Sequence, residues 1–162
     1  MTYRQREKGV AAVEFAIVLI PLLVIVTGIT EFGRAMYYYA TLAKAARDGA
    51  RLMSTQTPAD INYASLKNQA TCTVVYGNGT CSGTPLLPGL TTAMVSICDR
   101  SNCPATHANV STGNGVMNLV TLTIGGPNSP YTFQSMAPFS PALFGVGSFN
   151  FGPIGVTMRQ IL

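Results

Sequence analysis

Glu14 is the one ionisable residue in an apolar run from Val10 to Ile29, and it stands five residues after Gly9. A charged side chain at the centre of a membrane-spanning helix costs about 2.5–3.5 kcal/mol, less near the interface, so it marks a functional position that needs a partner. The chemistry open to a lone carboxylate there is ion pairing rather than catalysis. Four further reactive residues, Cys72, Cys81, Cys98 and Cys103, all follow the run. An even number of cysteines in a small, loop-rich stretch reads as two disulfides in an oxidising compartment, which places that part of the chain outside the cytoplasm. Three connectivities are open. The local pairs, Cys72 with Cys81 and Cys98 with Cys103, are favoured because each closes a short loop rich in turn residues. A four-cysteine zinc site is the weaker alternative, since the sequence has no C-x-x-C knuckle, and no metal is expected.

Little else in the chain is equipped for catalysis. His107, the single histidine, lies in a polar segment with no acid or nucleophile beside it, and reads as an exposed loop residue. Beyond Arg51 the only carboxylates are Asp60 and Asp99, so neither a triad nor a paired-carboxylate site is indicated. Gly77-Asn78-Gly79 lacks the lysine and following helix of a phosphate loop and reads as a turn. No enzyme activity, cofactor or small-molecule substrate is expected. Of the 16 charged residues 11 lie at or before Arg51, leaving Lys67, Arg100 and Arg159 as the only later bases. Without clustered Lys and Arg there is no footprint for nucleic acid.

The elements that must position these residues follow from pattern. A run of 20 residues matches a hydrocarbon core of about 30 Å, so 10–29 is read as a transmembrane segment. The run exceeds a signal-peptide core and a helical pattern continues past it, which favours retention over cleavage near Val26-Thr27-Gly28. Arg4, Arg6 and Lys8 form a basic stub at 1–9, but Arg34, Lys44, Arg47 and Arg51 on the other flank leave charge alone unable to set the topology. From 30 to 53 an apolar stripe of Tyr39, Leu42, Ala43, Ala46, Ala50 and Met53 opposes Lys44, Arg47, Asp48 and Arg51, the mark of an amphipathic helix continuing the first. Pro21 should bend its buried half, and Gly28, Gly33 and Gly49 are tolerated small residues or points of curvature.

Residues 54–162 then form one small domain. Thr57 as cap, Pro58 in the first turn and Asp60 near the free amides predict a helix over 58–69. Ala93–Ile97 and Val116–Ile124 read as strands, the second covered on both faces, and Phe149–Met158 as an irregular or edge strand interrupted by Gly152, Pro153 and Gly155. The segments Gly77–Gly89 and Gly125–Gly147 are turn-rich loops. The fold class is α+β, a long N-terminal helix packed on a small antiparallel sheet.

Lys8-Gly9-Val10-Ala11-Ala12-Val13-Glu14-Phe15 resembles the prepilin processing site of the tight-adherence (Flp) type IV pilus system: a basic leader, a glycine, four small or apolar residues, then Glu and an aromatic. With Pro21-Leu22-Leu23, Glu31-Phe32-Gly33-Arg34 and Ala45-Ala46-Arg47-Asp48-Gly49-Ala50-Arg51, the first third of the chain resembles the TadE-like pseudopilins, and Pro88-Gly89-Leu90-Thr91 and Thr157-Met158-Arg159 do so more loosely. The resemblance implies a pilin-like minor pseudopilin of the bacterial inner membrane, single-pass, with its C-terminal domain extracytoplasmic. It further implies cleavage by a prepilin peptidase between Gly9 and Val10. Glu14, followed by Phe15, would then pair with the new Val10 amine of a neighbouring pilin or pseudopilin subunit, setting register during assembly. The alternative from a different class is a membrane-anchored periplasmic binding module or adhesin, which would keep residues 1–9.

Overall fold

The structure, a computed structural model, describes residues 4–136 and 147–161, with side chains from Gly9 onward. The expected leader at 1–9 lies largely outside the described side chains, and so does 137–146 of the expected Gly125–Gly147 loop. The chain divides into two compact units, Met1–Met36 with Gln134–Ser148, and Tyr37–Phe133 with Phe149–Leu162.

The first element, α1, is a continuous helix Arg4–Ser54 that keeps Pro21 in its interior. It therefore begins upstream of the expected start at Val10. Its later part belongs to the second unit and follows the predicted stripe: Leu42, Ala46, Ala50 and Met53 are fully buried, while Lys44, Arg47, Asp48 and Arg51 face solvent. Tyr39 departs from the prediction and stays exposed. Gly49 is neither a hinge nor merely tolerated, because a Cβ there would lie 2.5 Å from Val74 and 2.6 Å from Leu122. Its missing side chain lets α1 come close to both of these residues, whereas a Cβ at Gly33 would meet nothing within 4 Å.

Helix α2 spans Tyr63–Tyr76, shifted from the expected 58–69. Turn chemistry explains the late start. Asp60 accepts the Asn62 amide at 2.7 Å, an Asx turn that competes with helix, and α2 begins only after Asn62. The far end runs on because Val74 and Val75 bury in the core, and Gly77, at φ 74°, closes the helix by donating to the Thr73 carbonyl.

A four-stranded antiparallel sheet is organised around β3, Val116–Ile124, whose limits are those predicted. It pairs antiparallel with β1 (Val95–Cys98), β2 (Val110–Ser111) and β6 (Ile154–Gln160). The face of β3 carrying Asn118, Val120, Leu122 and Ile124 is buried and the opposite face is half-covered, so the strand is less symmetric than expected. Two short strands, β4 (Thr132–Gln134) and β5 (Ser148–Asn150), pair as a ribbon. The predicted strand Phe149–Met158 is thus two strands, broken at 151–153 where Gly152 and Pro153 fall. A one-turn helix α3, Pro104–His107, occupies part of what reads as loop.

Candidate functional site

The residues read as the assembly site lie on the first turns of α1. No residue from Gly9 to Arg34 is buried, and the apolar window of this helix is long and hydrophobic enough to cross a membrane once. Val10 is 58% exposed and Phe15 66%. Val10 and Glu14 are four residues apart, hence neighbours on one helix face separated by a rise of about 6 Å. Glu14 is exposed and makes no ion pair among the described residues. Further along, Glu31 and Arg34 do pair, at 2.8 Å, and Arg34 also donates to the Gln134 carbonyl at 2.6 Å. Residues 9–51 match the TadE-like protein family. The TadE-like segment takes in the apolar run, Glu14, the Glu31–Arg34 pair and most of the buried stripe of α1, and it ends before every strand and every cysteine. No curated protein and no solved structure matches the chain.

In the second unit the four cysteines form the disulfides Cys72–Cys81 and Cys98–Cys103. The first ties α2 to the loop after it. The second closes the turn between β1 and α3. His107 is not the exposed loop residue expected. It ends α3 half-buried, hydrogen-bonded through Nδ1 to Thr106 at 2.7 Å and through Nε2 to Thr121 at 2.8 Å. Its Nδ1 also lies 3.7 Å from the Cys98 sulfur. Cys98, Cys103 and His107 are close enough to hold a metal ion together, but their sulfurs are joined as a disulfide, which removes the thiolates that metal ligation needs.

A buried polar cluster escaped the sequence reading. Asp99 is fully buried at the end of β1, and its carboxylate takes an ion pair from Lys67 at 2.6 Å and a hydrogen bond from the Tyr63 hydroxyl at 2.8 Å. The Ser101 amide and hydroxyl and the Asn102 amide supply more donors. Gln160 at the end of β6 donates to the Tyr63 oxygen at 2.8 Å and to the Gln56 carbonyl at 3.1 Å. Burial pushes the Asp99 carboxyl up, but the bonds from Lys67, Ser101 and Tyr63 outweigh it and bring the pKa down to about 2. Tyr63 moves the other way: burial and the negative Asp99 hold its hydroxyl well above the usual range, against the opposing bond from Gln160. The cluster joins α2, the end of β1 and β6 through buried hydrogen bonds and one ion pair, so it holds these elements together. Two spacings in the sequence pointed to it: Tyr63 and Lys67 one turn apart on a helix, and Asp99-x-Ser101-Asn102, an Asx-turn pattern.

The structure keeps the predicted residues in two groups. Gly9, Val10, Glu14 and Phe15 are adjacent on α1 in the first unit, and the four cysteines belong to the second.

Proposed function

We propose that this chain is a non-catalytic minor pseudopilin that acts in assembly of a tight-adherence (Flp-type) pilus or a related secretion apparatus. The observation that carries the reading is the TadE-like match over residues 9–51, which contains Gly9, Glu14 and an apolar helix with no buried residue from Gly9 to Arg34. The run Val10–Ile29 anchors the subunit in the bacterial inner membrane as a single pass, and the disulfide-bonded domain lies on the extracytoplasmic side. A prepilin peptidase cleaves between Gly9 and Val10. Glycine is the poorest helix former in the first turns of α1 apart from proline, by about 1 kcal/mol, which lowers the cost of opening the backbone at that bond.

Cleavage leaves an amine on Val10, one turn from Glu14 on the same face. Two parallel subunits offset by about 6 Å bring the amine of one beside the carboxylate of the other. In a low-dielectric bundle a pair of this kind adds little net stability, but breaking it by a shifted register is costly, about 3–5 kcal/mol. The partners are other pilin or pseudopilin subunits.

The test is the N-terminus of the mature protein, read by mass spectrometry of membrane and surface fractions from cells with an active pilus system. It is expected at Val10. Gly9→Leu should leave residues 1–9 attached without disturbing the fold, since a Cβ at Gly9 meets nothing within 4 Å. An intact leader on the wild-type chain would instead support an anchored periplasmic binding module or adhesin.

A further inference from the structure

The two disulfides stand in unlike surroundings. In the first, Cys72 is buried on α2 at 7% exposure and Cys81 is exposed. In the second, Cys98 and Cys103 are both half-buried. Cys98 ends the paired strand β1, between half-buried Ile97 and buried Asp99, whereas Cys103 is flanked by exposed Asn102 and Pro104. His107 Nδ1 lies 3.7 Å from the Cys98 sulfur, within hydrogen-bond reach of it. The other ring nitrogen, Nε2, meets the Thr121 hydroxyl at 2.8 Å, and that hydroxyl meets the exposed Thr157 at 2.7 Å, which holds the ring with Nδ1 toward the disulfide. The Asp99 carboxylate next to Cys98 in sequence is already matched by Lys67 at 2.6 Å. All of these residues belong to the second unit, so the site stands apart from the membrane reading of α1.

Thiol–disulfide exchange depends on access to one sulfur and on the stability of the thiolate that leaves the other. Attack at Cys81 would leave a negative sulfur buried on α2, at a desolvation cost. Attack at Cys103 instead expels Cys98 beside a ring nitrogen that can hydrogen-bond and protonate it. We infer that Cys98–Cys103 is a thiol–disulfide exchange site for a dithiol oxidoreductase, with Cys103 the sulfur attacked, Cys98 the leaving group and His107 its proton donor. The incoming thiolate bonds to the Cys103 sulfur as the Cys103–Cys98 bond breaks, and the electron pair passes to Cys98, which takes a proton from the His107 imidazolium at Nδ1. The second thiol of the oxidoreductase, losing its proton to water, then displaces Cys103 as a thiolate. The oxidoreductase is left as a disulfide and the chain as two thiols, a two-electron transfer that runs in reverse when the site closes. Opening frees the turn that carries the Ser101 and Asn102 amides bonded to Asp99, so exchange here reaches the buried cluster.

The test uses the full-length protein in detergent. Limiting dithiothreitol, followed by alkylation and peptide mass spectrometry, is expected to open Cys98–Cys103 about tenfold faster than Cys72–Cys81. His107→Gln should slow the opening of Cys98–Cys103 about tenfold, the loss of one hydrogen bond to a charged sulfur, and leave the rate at Cys72–Cys81 unchanged. A histidine that serves only the fold predicts the opposite sign, since a loosened α3 exposes the disulfide and speeds its opening. Glutathione, a monothiol, stops at the first step. On the wild-type chain it is expected on Cys103, with Cys98 free for alkylation, and this reading needs no folded variant. Glutathione on Cys98, opening of Cys72–Cys81 first or at the same rate, or a folded His107→Gln chain that opens as fast as wild type or faster overturns the inference.

Discussion

The two ends of α1 are made of similar residues put to opposite uses. From Leu42 to Met53, one face is buried inside the second unit against α2 and β3, with Gly49 allowing the closest approach. From Gly9 to Arg34, a more apolar sequence has no fully buried residue. A face completed from inside reports on folding when it is changed. A face left open reports on whatever completes it from outside, whether lipid or neighbouring helices. Glu14 and Asp99 make the same contrast among carboxylates: one is exposed without an ion pair among the described residues, the other is buried with five donors.

The sharpest way to break this contrast is at Glu14, where the expected effect is all-or-none. Glu14→Leu removes the polar cost of insertion, and Glu14→Gln removes the charge while keeping the shape, so both should insert, be cleaved and fold normally. Both should nonetheless fail to assemble, as read by pilus formation or by crosslinking to partner subunits in cells where the variant is processed and present at wild-type level. Normal assembly by Glu14→Leu would show that the carboxylate is a tolerated interfacial residue and that register is set elsewhere.

In the closed half of the molecule the effects are losses of stability. Asp99→Asn leaves Lys67 without its anion. Breaking a buried pair costs about 3–5 kcal/mol, and the partly exposed Lys67 places this one at about 3 kcal/mol. Chemical denaturation of the detergent-solubilised chain, followed by circular dichroism, measures it, and a loss under about 1 kcal/mol would mean that the cluster is no keystone. Cys98→Ser should cost about 2–4 kcal/mol by releasing the turn between β1 and α3. Its steady-state level should fall below that of changes at neighbouring loop residues. The native wild-type protein should show no thiol that labels without reductant.

How far the sequence could be read follows from the same division. β3, the buried stripe of α1 and the local disulfides all depend on period or short-range closure, and these are visible in one dimension. The start of α2 was misplaced because Thr57, Pro58 and Asp60 suit a helix N-terminus and a turn equally well, and only the burial of Val74 and Val75 decides where the helix must end. Tyr39 fits the stripe by spacing, yet it meets Phe151, more than a hundred residues away, instead of the core. The Asp99 cluster was missed for the same reason: Tyr63, Lys67, Asp99 and Gln160 come from three elements, and nothing local marks Gln160 as their partner. The proposed N-terminal site rests on sequence alone, because its residues need no fold to bring them together beyond the helix itself.

The smallest expected effect is also the most diagnostic of the closed half. Tyr63→Phe removes one hydroxyl that donates to Asp99 and accepts from Gln160, leaving ring packing and the Lys67 pair in place. The loss at neutral pH should be about 1.5 kcal/mol, the lower end for a hydrogen bond to a charged group. Its pH dependence separates bonding from packing. The folded pKa of Asp99 is depressed from 3.8 to about 2, so the carboxylate contributes stability above pH 3.8, roughly 2 kcal/mol, that is lost as pH falls through 2. Without the Tyr63 donor the folded pKa rises and that contribution shrinks. The difference between wild type and variant should therefore close as acid is added. Tyr63 itself is raised above 10.0, and a group of that kind contributes stability below its unfolded pKa that is lost as pH rises, a loss the phenylalanine variant cannot show. The difference should thus form a plateau between about pH 4 and pH 10 and fall away on both sides. A difference that stays flat into acid would mean that Tyr63 acts through its ring alone, and that the closed half is held by packing rather than by its buried charge.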